Sequence, residues 1–151
     1  MANYTREISH MMDRMLTKVL KQDRKGYYQE QLIFKLSLLD VLAVKMIGEH
    51  KALDLASLIK GLELDRNLVD TSLKNLIGLK LVMKQKGKRD KREKLLVLTE
   101  QGHVLYQKLM QAQLSELEFI LNDITINEEK TILKFLSKIV QYHTEKYEIN
   151  E

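Results

Sequence analysis

The segment from residue 53 to residue 102 constrains the fold of this 151-residue chain more than any other part. We predict a short helix over 53–59, a second helix over 65–79, and two strands, 82–86 and 95–98, joined as a hairpin. Two helices separated by a tight turn and followed by a hairpin are the pattern of a winged helix-turn-helix. The sequence therefore predicts a mainly α fold with a small β-hairpin, of the α+β class.

The predicted hairpin is strongly basic. Residues 80–94 contain eight basic and two acidic residues, a net charge of +6, whereas the whole chain carries +4 and its remainder therefore −2. A local positive charge of this size indicates a docking surface for a polyanion. A charged loop is often only solvated, but this one directly follows a helix-turn-helix. We therefore assign it to phosphate and minor-groove contacts with double-stranded DNA.

The second helix of the pair has one apolar and one polar side. Asp65 is a suitable N-cap, and the predicted buried stripe consists of Leu68, Val69, Leu73, Leu76 and Ile77. The other side carries Arg66, Asn67, Asp70, Thr71, Lys74 and Asn75. Such a surface suits side chains that contact base edges as well as phosphates. An ordinary solvated helix surface has a similar composition, so this helix alone leaves both interpretations open.

Three further local signals mark where elements begin and end. Ser37, with Asp40 three residues later, predicts a capping box at the start of a helix that is apolar nearly all round and should be buried. Gly48 is predicted to end that helix. The dipeptide 52–53 is predicted to form a one-bridge strand with the hairpin, and Thr99 is predicted to cap the helix after the hairpin.

Long amphipathic segments flank the predicted winged helix. Apolar side chains recur at helical spacing over residues 2–24, where Gly26 is predicted to end the helix, and again after Thr99, with a break at 122–127. A single winged helix does not need these helices, so we predict that they pack against the same helices of a second copy in a two-fold dimer. We assign 2–34 and 103–151 to dimerisation and 35–102 to DNA binding.

Composition and motifs narrow the possible functions. The chain has no cysteine, which excludes disulfides, thiolate metal sites and thiol-based redox sensing. It has no run of about 18 apolar residues and no signal-peptide pattern, so we expect a cytoplasmic protein without a membrane partner. The four histidines, His10, His50, His103 and His143, lack the spacing of metal-ligand pairs. We predict no cofactor, no metal and, without a phosphate loop or nucleophile elbow, no enzymatic activity.

Two motifs are more specific than the helix pattern. Asp90-Lys91-Arg92 is followed by Leu98-Thr99-Glu100-Gln101-Gly102, an Asp-x-Arg and then a Leu-Thr-x-x-Gly. With the helices from 36 to 82, these motifs resemble the MarR family of bacterial transcription regulators. The chain departs from the family at Lys80, where glycine is common, and at Thr71, where arginine is common. The second departure leaves the base preference open.

The resemblance implies a homodimer whose winged helices occupy successive major grooves of a near-palindromic operator, as a sequence-specific regulator that we expect to be a repressor. It implies that the major groove is entered by Arg66, Asn67, Asp70, Thr71 and Lys74. The wing contacts would come from Lys88, Arg89 and Arg92, with Asp90 orienting Arg92 through a charge-assisted bond. We add Lys86, from the same basic run, to the DNA-binding set. Many family members release DNA when a small aromatic or phenolic ligand binds, but the sequence identifies no effector.

Two alternatives stay open at this point. One is a regulator of the staphylococcal accessory type, which shares the Asp-x-Arg wing and often uses no metabolite. The other is a winged helix that serves only as a protein-interaction module. The charge of the hairpin counts against the second alternative, because a protein-binding module does not need it.

Overall fold

The computed structural model describes residues 3–27 and 35–148, so residues 28–34 of the assigned N-terminal dimerisation segment lie outside the described residues. Within the described ranges the elements are α1 (Thr5–Lys25), α2 (Leu38–His50), α3 (Leu55–Leu62), α4 (Arg66–Gly78), β1 (Val82–Lys86), β2 (Lys94–Leu98), α5 (Glu100–Ile120) and α6 (Ile126–Glu148). The predicted mainly α fold with one hairpin is confirmed. The chain divides into two compact units, Met1–Met110 and Gln111–Glu151. No helix of the described ranges is long and apolar enough to cross a membrane.

Helix α2 begins with the predicted capping box. The Ser37 hydroxyl accepts a hydrogen bond from the Asp40 amide at 3.1 Å, and the Ser37 amide donates to the Asp40 carboxylate at 3.0 Å. The prediction that Gly48 ends the helix is wrong, because α2 continues to His50. A Cβ atom on Gly48 would lie 2.5 Å from the Tyr106 ring, so glycine is needed there for close packing of Tyr106 against α2.

Helix α3 begins two residues later than predicted. Leu53 is not helical but forms the predicted isolated bridge with Leu96, through backbone hydrogen bonds of 3.2 and 2.8 Å. The Asp54 side chain then accepts a hydrogen bond from the Ser57 amide at 2.7 Å and caps the helix. The cap satisfies an N–H group that has no partner inside the helix, which sets the helix start at Leu55.

Helix α4 has the predicted N-cap, Asp65, but not the predicted buried stripe. Its buried residues are Val69, Ser72, Leu73 and Leu76. Leu68 is 52% exposed, so its assignment to the core is wrong. The buried set follows the i, i+3, i+4, i+7 spacing of one helix side once Ser72 is included, and Leu68 falls beside that stripe rather than within it.

The core of the first unit joins the helix-turn-helix to the hairpin. It consists of Leu36, Val41, Ala43, Val44, Ile47, Leu53, Leu58, Val69, Leu73, Leu76, Leu81, Val82, Leu96, Leu98, Leu105 and Leu109. Both strands of the hairpin contribute, because Val82 pairs with Leu98 and side chains alternate between the two faces of a strand. The hairpin and α4 are therefore packed on one shared core.

The long helices have a different character. No residue of α1 is buried, and its apolar side chains Ile8, Met11, Met15, Leu16, Val19 and Leu20 are exposed. In the second unit, α6 begins with a reciprocal cap between Thr125 and Glu128, with hydrogen bonds of 3.0 and 3.2 Å. None of residues 126–146 is buried. Each helix is therefore well formed but has an apolar side without a cover in the single chain.

Candidate nucleic-acid interface

The five side chains predicted to enter the major groove lie on α4 and are accessible. Arg66, Asn67, Thr71 and Lys74 are exposed, and Asp70 is partly buried. Lys74 forms an ion pair with Asp70 at 3.7 Å, and the Thr71 hydroxyl donates to the Asn67 carbonyl at 2.8 Å. Within α4 the two basic residues exceed the one acidic residue by one charge, and the N-cap Asp65 offsets it, so α4 together with its N-cap carries no net charge.

A buried carboxylate attaches α4 to α2. Asp40 is only 4% exposed, and besides the Ser37 amide it accepts hydrogen bonds from the Ser72 hydroxyl and, at 3.1 Å, from the Asn75 amide group. A buried carboxylate is tolerated only when it is well hydrogen-bonded, and here the donors come from two helices. Sequence reasoning found Asp40 as a cap but missed this second role. The available signal was Ser72, a polar residue at the centre of the apolar stripe.

The end of α4 turns sharply into β1. The Lys80 amide donates to the Ile77 carbonyl and the Leu81 amide to the Leu76 carbonyl, both at 3.0 Å, which is a Schellman motif. Lys80 has a φ of 61°, the left-handed conformation that glycine adopts most easily. The turn therefore forms although lysine replaces the glycine that is common in the family. The left-handed conformation is less favourable for lysine than for glycine.

The Leu-Thr-x-x-Gly motif holds the base of the hairpin. The Thr99 amide donates to the Leu81 carbonyl at 3.0 Å, and its hydroxyl donates to the Lys80 carbonyl at 2.6 Å. The same hydroxyl accepts from the Gly102 amide at 3.0 Å, which confirms Thr99 as the cap of α5. A Cβ on Gly102 would lie 2.0 Å from the Leu81 carbonyl oxygen. The motif thus joins the end of α4, the hairpin and the start of α5 at one point.

The tip of the hairpin is shaped by Asp90, though not in the predicted way. Its carboxylate accepts a hydrogen bond from the Arg92 backbone amide at 2.9 Å, whereas a bond to the Arg92 guanidinium was predicted. The Gly87 amide donates to the Glu93 carbonyl at 2.8 Å, which closes the loop. The basic side chains of the hairpin, Lys86, Lys88, Arg89, Lys91 and Arg92, are all exposed. Among the described residues, none of them forms an ion pair.

A second feature of the first unit is an open cavity of about 380 Å³ near the C-terminal end of α2. Its titratable lining residues are His50, Asp54 and Glu93. Two carboxylates make this cavity a poor match for the carboxylate or phenolate group of an aromatic effector, because like charges repel. Within the described residues, no three histidine, aspartate or glutamate side chains are grouped as they would be to hold a metal ion.

Comparison with known proteins supports the same architecture. No family model matches the chain. The HTH-type transcriptional regulator PetP of Rhodobacter capsulatus is 38% identical over 71 residues, which are 47% of this chain and 43% of that protein. The chain thus matches less than half the length of this relative.

Three solved structures are similar over nearly the whole chain. The structure of Streptococcus pneumoniae FabT in complex with DNA has a TM-score of 0.76 at 18% identity and covers 95% of this chain and 99% of its own. A MarR protein from Peptoclostridium difficile has a TM-score of 0.73 at 18% identity, with 100% and 94% covered. Bordetella bronchiseptica BpsR, described with regulation of its DNA binding by 6-hydroxynicotinic acid, has a TM-score of 0.66 at 16% identity, with 93% and 97% covered. The chain therefore has the winged-helix fold of the MarR-type transcription regulators.

Proposed function

We propose that this chain is a homodimeric, sequence-specific DNA-binding transcription regulator, acting as a repressor on a near-palindromic operator. The observation that carries the proposal is the exposed, strongly basic hairpin joined through the Leu-Thr-x-x-Gly motif to an exposed polar helix. A helix that fits the major groove beside a basic wing is a common way to bind duplex DNA. FabT, which shares this fold, is solved in complex with DNA.

The two elements have different roles in this proposal. The hairpin residues Lys86, Lys88, Arg89 and Arg92 contact phosphates and the minor groove, where exposed cations displace condensed counterions. Asp90 shapes the hairpin tip that presents them. The α4 residues Arg66, Asn67, Asp70, Thr71 and Lys74 face the base edges. The hairpin then supplies most of the affinity, and α4, which is neutral when its N-cap Asp65 is included, supplies most of the sequence preference.

The dimer is proposed from the exposed apolar sides of the long helices. On α6, Leu133 and Leu136 are exposed, and so are Phe135 and Val140. A continuous apolar helix side in water marks an interaction site, and a second copy offers a self-complementary partner. We therefore propose that 2–34 and 103–151 form the dimer and that 35–102 binds DNA.

We also propose that a small aromatic ligand releases the DNA, by binding outside the cavity beside α2, whose two carboxylates would repel it. The support comes from BpsR, whose DNA binding is regulated by 6-hydroxynicotinic acid. The test is to titrate a panel of phenols and aromatic carboxylates, including 6-hydroxynicotinic acid, into the protein–DNA complex. If none changes the affinity for DNA, the proposal of ligand release fails and a regulator without a metabolite effector takes its place.

DNA binding is tested by fluorescence anisotropy on the promoter DNA upstream of the chain's own gene and on a scrambled duplex, across a salt series. We expect the promoter to bind about 10³-fold more tightly than the scrambled duplex, with an affinity that falls as salt rises. Arg92→Ala should weaken binding to both duplexes without changing the thermal melting temperature. Lys134→Ala on α6 removes the same charge and should leave DNA binding unchanged. No binding to either duplex at low salt would contradict the proposal and favour a protein-interaction module.

A further inference from the structure

We infer that α4 recognises A·T base pairs, with Leu68 contacting a thymine C5-methyl group and Asn67 pairing with an adjacent adenine. This inference rests on the proposed DNA binding and adds the base preference that sequence reasoning left open. Two observations support it. The Leu68 side chain is exposed although it was predicted to be buried, and the polar groups of several neighbouring residues already have partners inside the protein.

Leu68 is exposed on the surface of α4 and does not contribute to the hydrophobic core. Its side chain is 52% exposed, whereas Val69, Leu73 and Leu76 fill the core side of the same helix. Leu68 is the third residue of α4, in the first turn. The N-terminal residues of a recognition helix are those that contact base edges in the major groove. A large apolar side chain is thus placed at the end of the helix that meets the bases.

Several polar groups around Leu68 already have partners inside the protein. The Thr71 hydroxyl donates to the Asn67 carbonyl, so its proton is used and its methyl group remains as a contact surface. The Asn75 amide group donates to Asp40, and the Lys74 ammonium is paired with Asp70. The Asn67 side chain has no hydrogen-bond partner among the described residues.

The chemistry of the base edges completes the inference. In the major groove, the thymine C5-methyl is the apolar group of the base edges, and an asparagine side chain can bond both N6 and N7 of adenine. Leu68 and the Thr71 methyl lie three residues apart on one helix side, so they form a small apolar surface beside Asn67. Because α4 together with its N-cap Asp65 has no net charge, its attraction to phosphate is weak and does not mask discrimination between bases through such contacts.

The test uses an operator selected by this protein from a random duplex library, synthesised once with thymine and once with uracil. Uracil removes the C5-methyl and preserves base pairing. For the unmodified protein we expect a loss of affinity on the uracil duplex of about fourfold per contacted methyl group, the value expected for burying one methyl. Leu68→Ala should reduce this ratio towards one. Val104→Ala, which truncates another exposed apolar side chain, on α5, should keep the full ratio.

Two results would overturn the inference while leaving DNA binding intact. One is an unmodified protein that binds the thymine and uracil operators equally well. The other is a Leu68→Ala variant that retains the full uracil penalty. Selection repeated with Asn67→Ala should relax an adenine preference at one position per half-site, and an unchanged selected sequence would overturn the role of Asn67. If no duplex is selected over random DNA, the proposed function itself fails, and this inference fails with it.

Discussion

The winged helix and α6 solve the problem of burying apolar side chains in opposite ways. Between Leu36 and Leu109, the buried apolar residues of two strands and several helices form one core inside a single chain. In α6, the apolar residues also recur at helical spacing, yet none of residues 126–146 is buried. An amphipathic pattern alone therefore does not distinguish a helix side that is buried in the core of its own chain from one that stays exposed.

The two regions are also expected to respond differently to mutation. Contacts made by Asp40, Thr99 and Gly102 hold α4 and the hairpin in a fixed relation, which would favour accurate placement of side chains in the DNA binding that we propose. A helix whose apolar side is uncovered is stabilised by partner binding, and its stability then depends on protein concentration. The predictions below test whether changes in the two regions separate in this way.

The largest effect is expected from a charge on the apolar side of α6. Leu136→Glu should raise the dissociation constant of the proposed dimer by at least about 100-fold, because each change occurs twice in a two-fold interface. Sedimentation equilibrium measures the constant. Lys134→Glu places the same residue on the polar side of α6 and should leave the dimer intact. A dimer that tolerates Leu136→Glu would show that this side of α6 is not the interface.

Gly102→Ala should destabilise the winged helix by about 3 kcal/mol, because the new Cβ would meet the Leu81 carbonyl oxygen, which belongs to the backbone and cannot easily move. Urea unfolding gives the free energy of unfolding. Gly78→Ala is the matched control, since a Cβ there meets nothing within 4 Å. We expect that variant to be as stable as the parent or slightly more so. Equal losses for both variants would argue against a close approach at Gly102.

Asp40→Ala should cost about 2 kcal/mol of unfolding free energy, because the buried Ser72 hydroxyl loses its partner and α2 loses part of its cap. Ser37→Ala removes only the cap and should cost about 1 kcal/mol. Asp40→Ala should also weaken binding to the selected operator more than binding to random DNA, since it loosens α4 and not the hairpin. A uniform loss on both duplexes would contradict that role for Asp40.

Lys80→Gly should stabilise the chain by about 1 kcal/mol, because glycine adopts the left-handed conformation at this position without the steric penalty of a side chain. Lys84→Gly removes the same charge from a strand and should instead destabilise by about 0.5–1 kcal/mol. Thermal unfolding of the two variants gives the comparison. A destabilised Lys80→Gly variant would show that the lysine side chain contributes more than its backbone costs.

The smallest effect concerns the cap of α3. The hydrogen bonds with the Ser57 side chain and amide lower the pKa of Asp54 below its usual 3.8. Its contribution to stability is therefore complete above that pH and is lost as the pH falls through the lowered value. Asp54→Asn keeps a good N-cap that does not titrate. The variant should thus lose less stability on acidification than the parent, and identical acid-unfolding curves would contradict this assignment.

The sequence by itself determined the features that depend on near neighbours. The starts of α2, α4 and α5 were predicted because Ser37, Asp65 and Thr99 satisfy amide groups only two or three residues away. The hairpin was predicted because a strand that begins with Val82-Met83 and the apolar strand 95–98 enclose a loop of charged residues. These signals are local, so they are present in the chain before it folds.

Only the tertiary structure decided what depended on residues far away in the chain. Gly48 does not end α2 but receives Tyr106, and Ser72 rather than Leu68 is buried because Asp40, 32 residues away, accepts its hydrogen bond. No pattern within a single helix contains these partners. Leu68, which was predicted to be buried, therefore lies on the surface of α4. The helical period shows which residues share one side of a helix. Only the tertiary packing shows which polar side chain finds a hydrogen-bond partner in the core and which apolar side chain stays exposed.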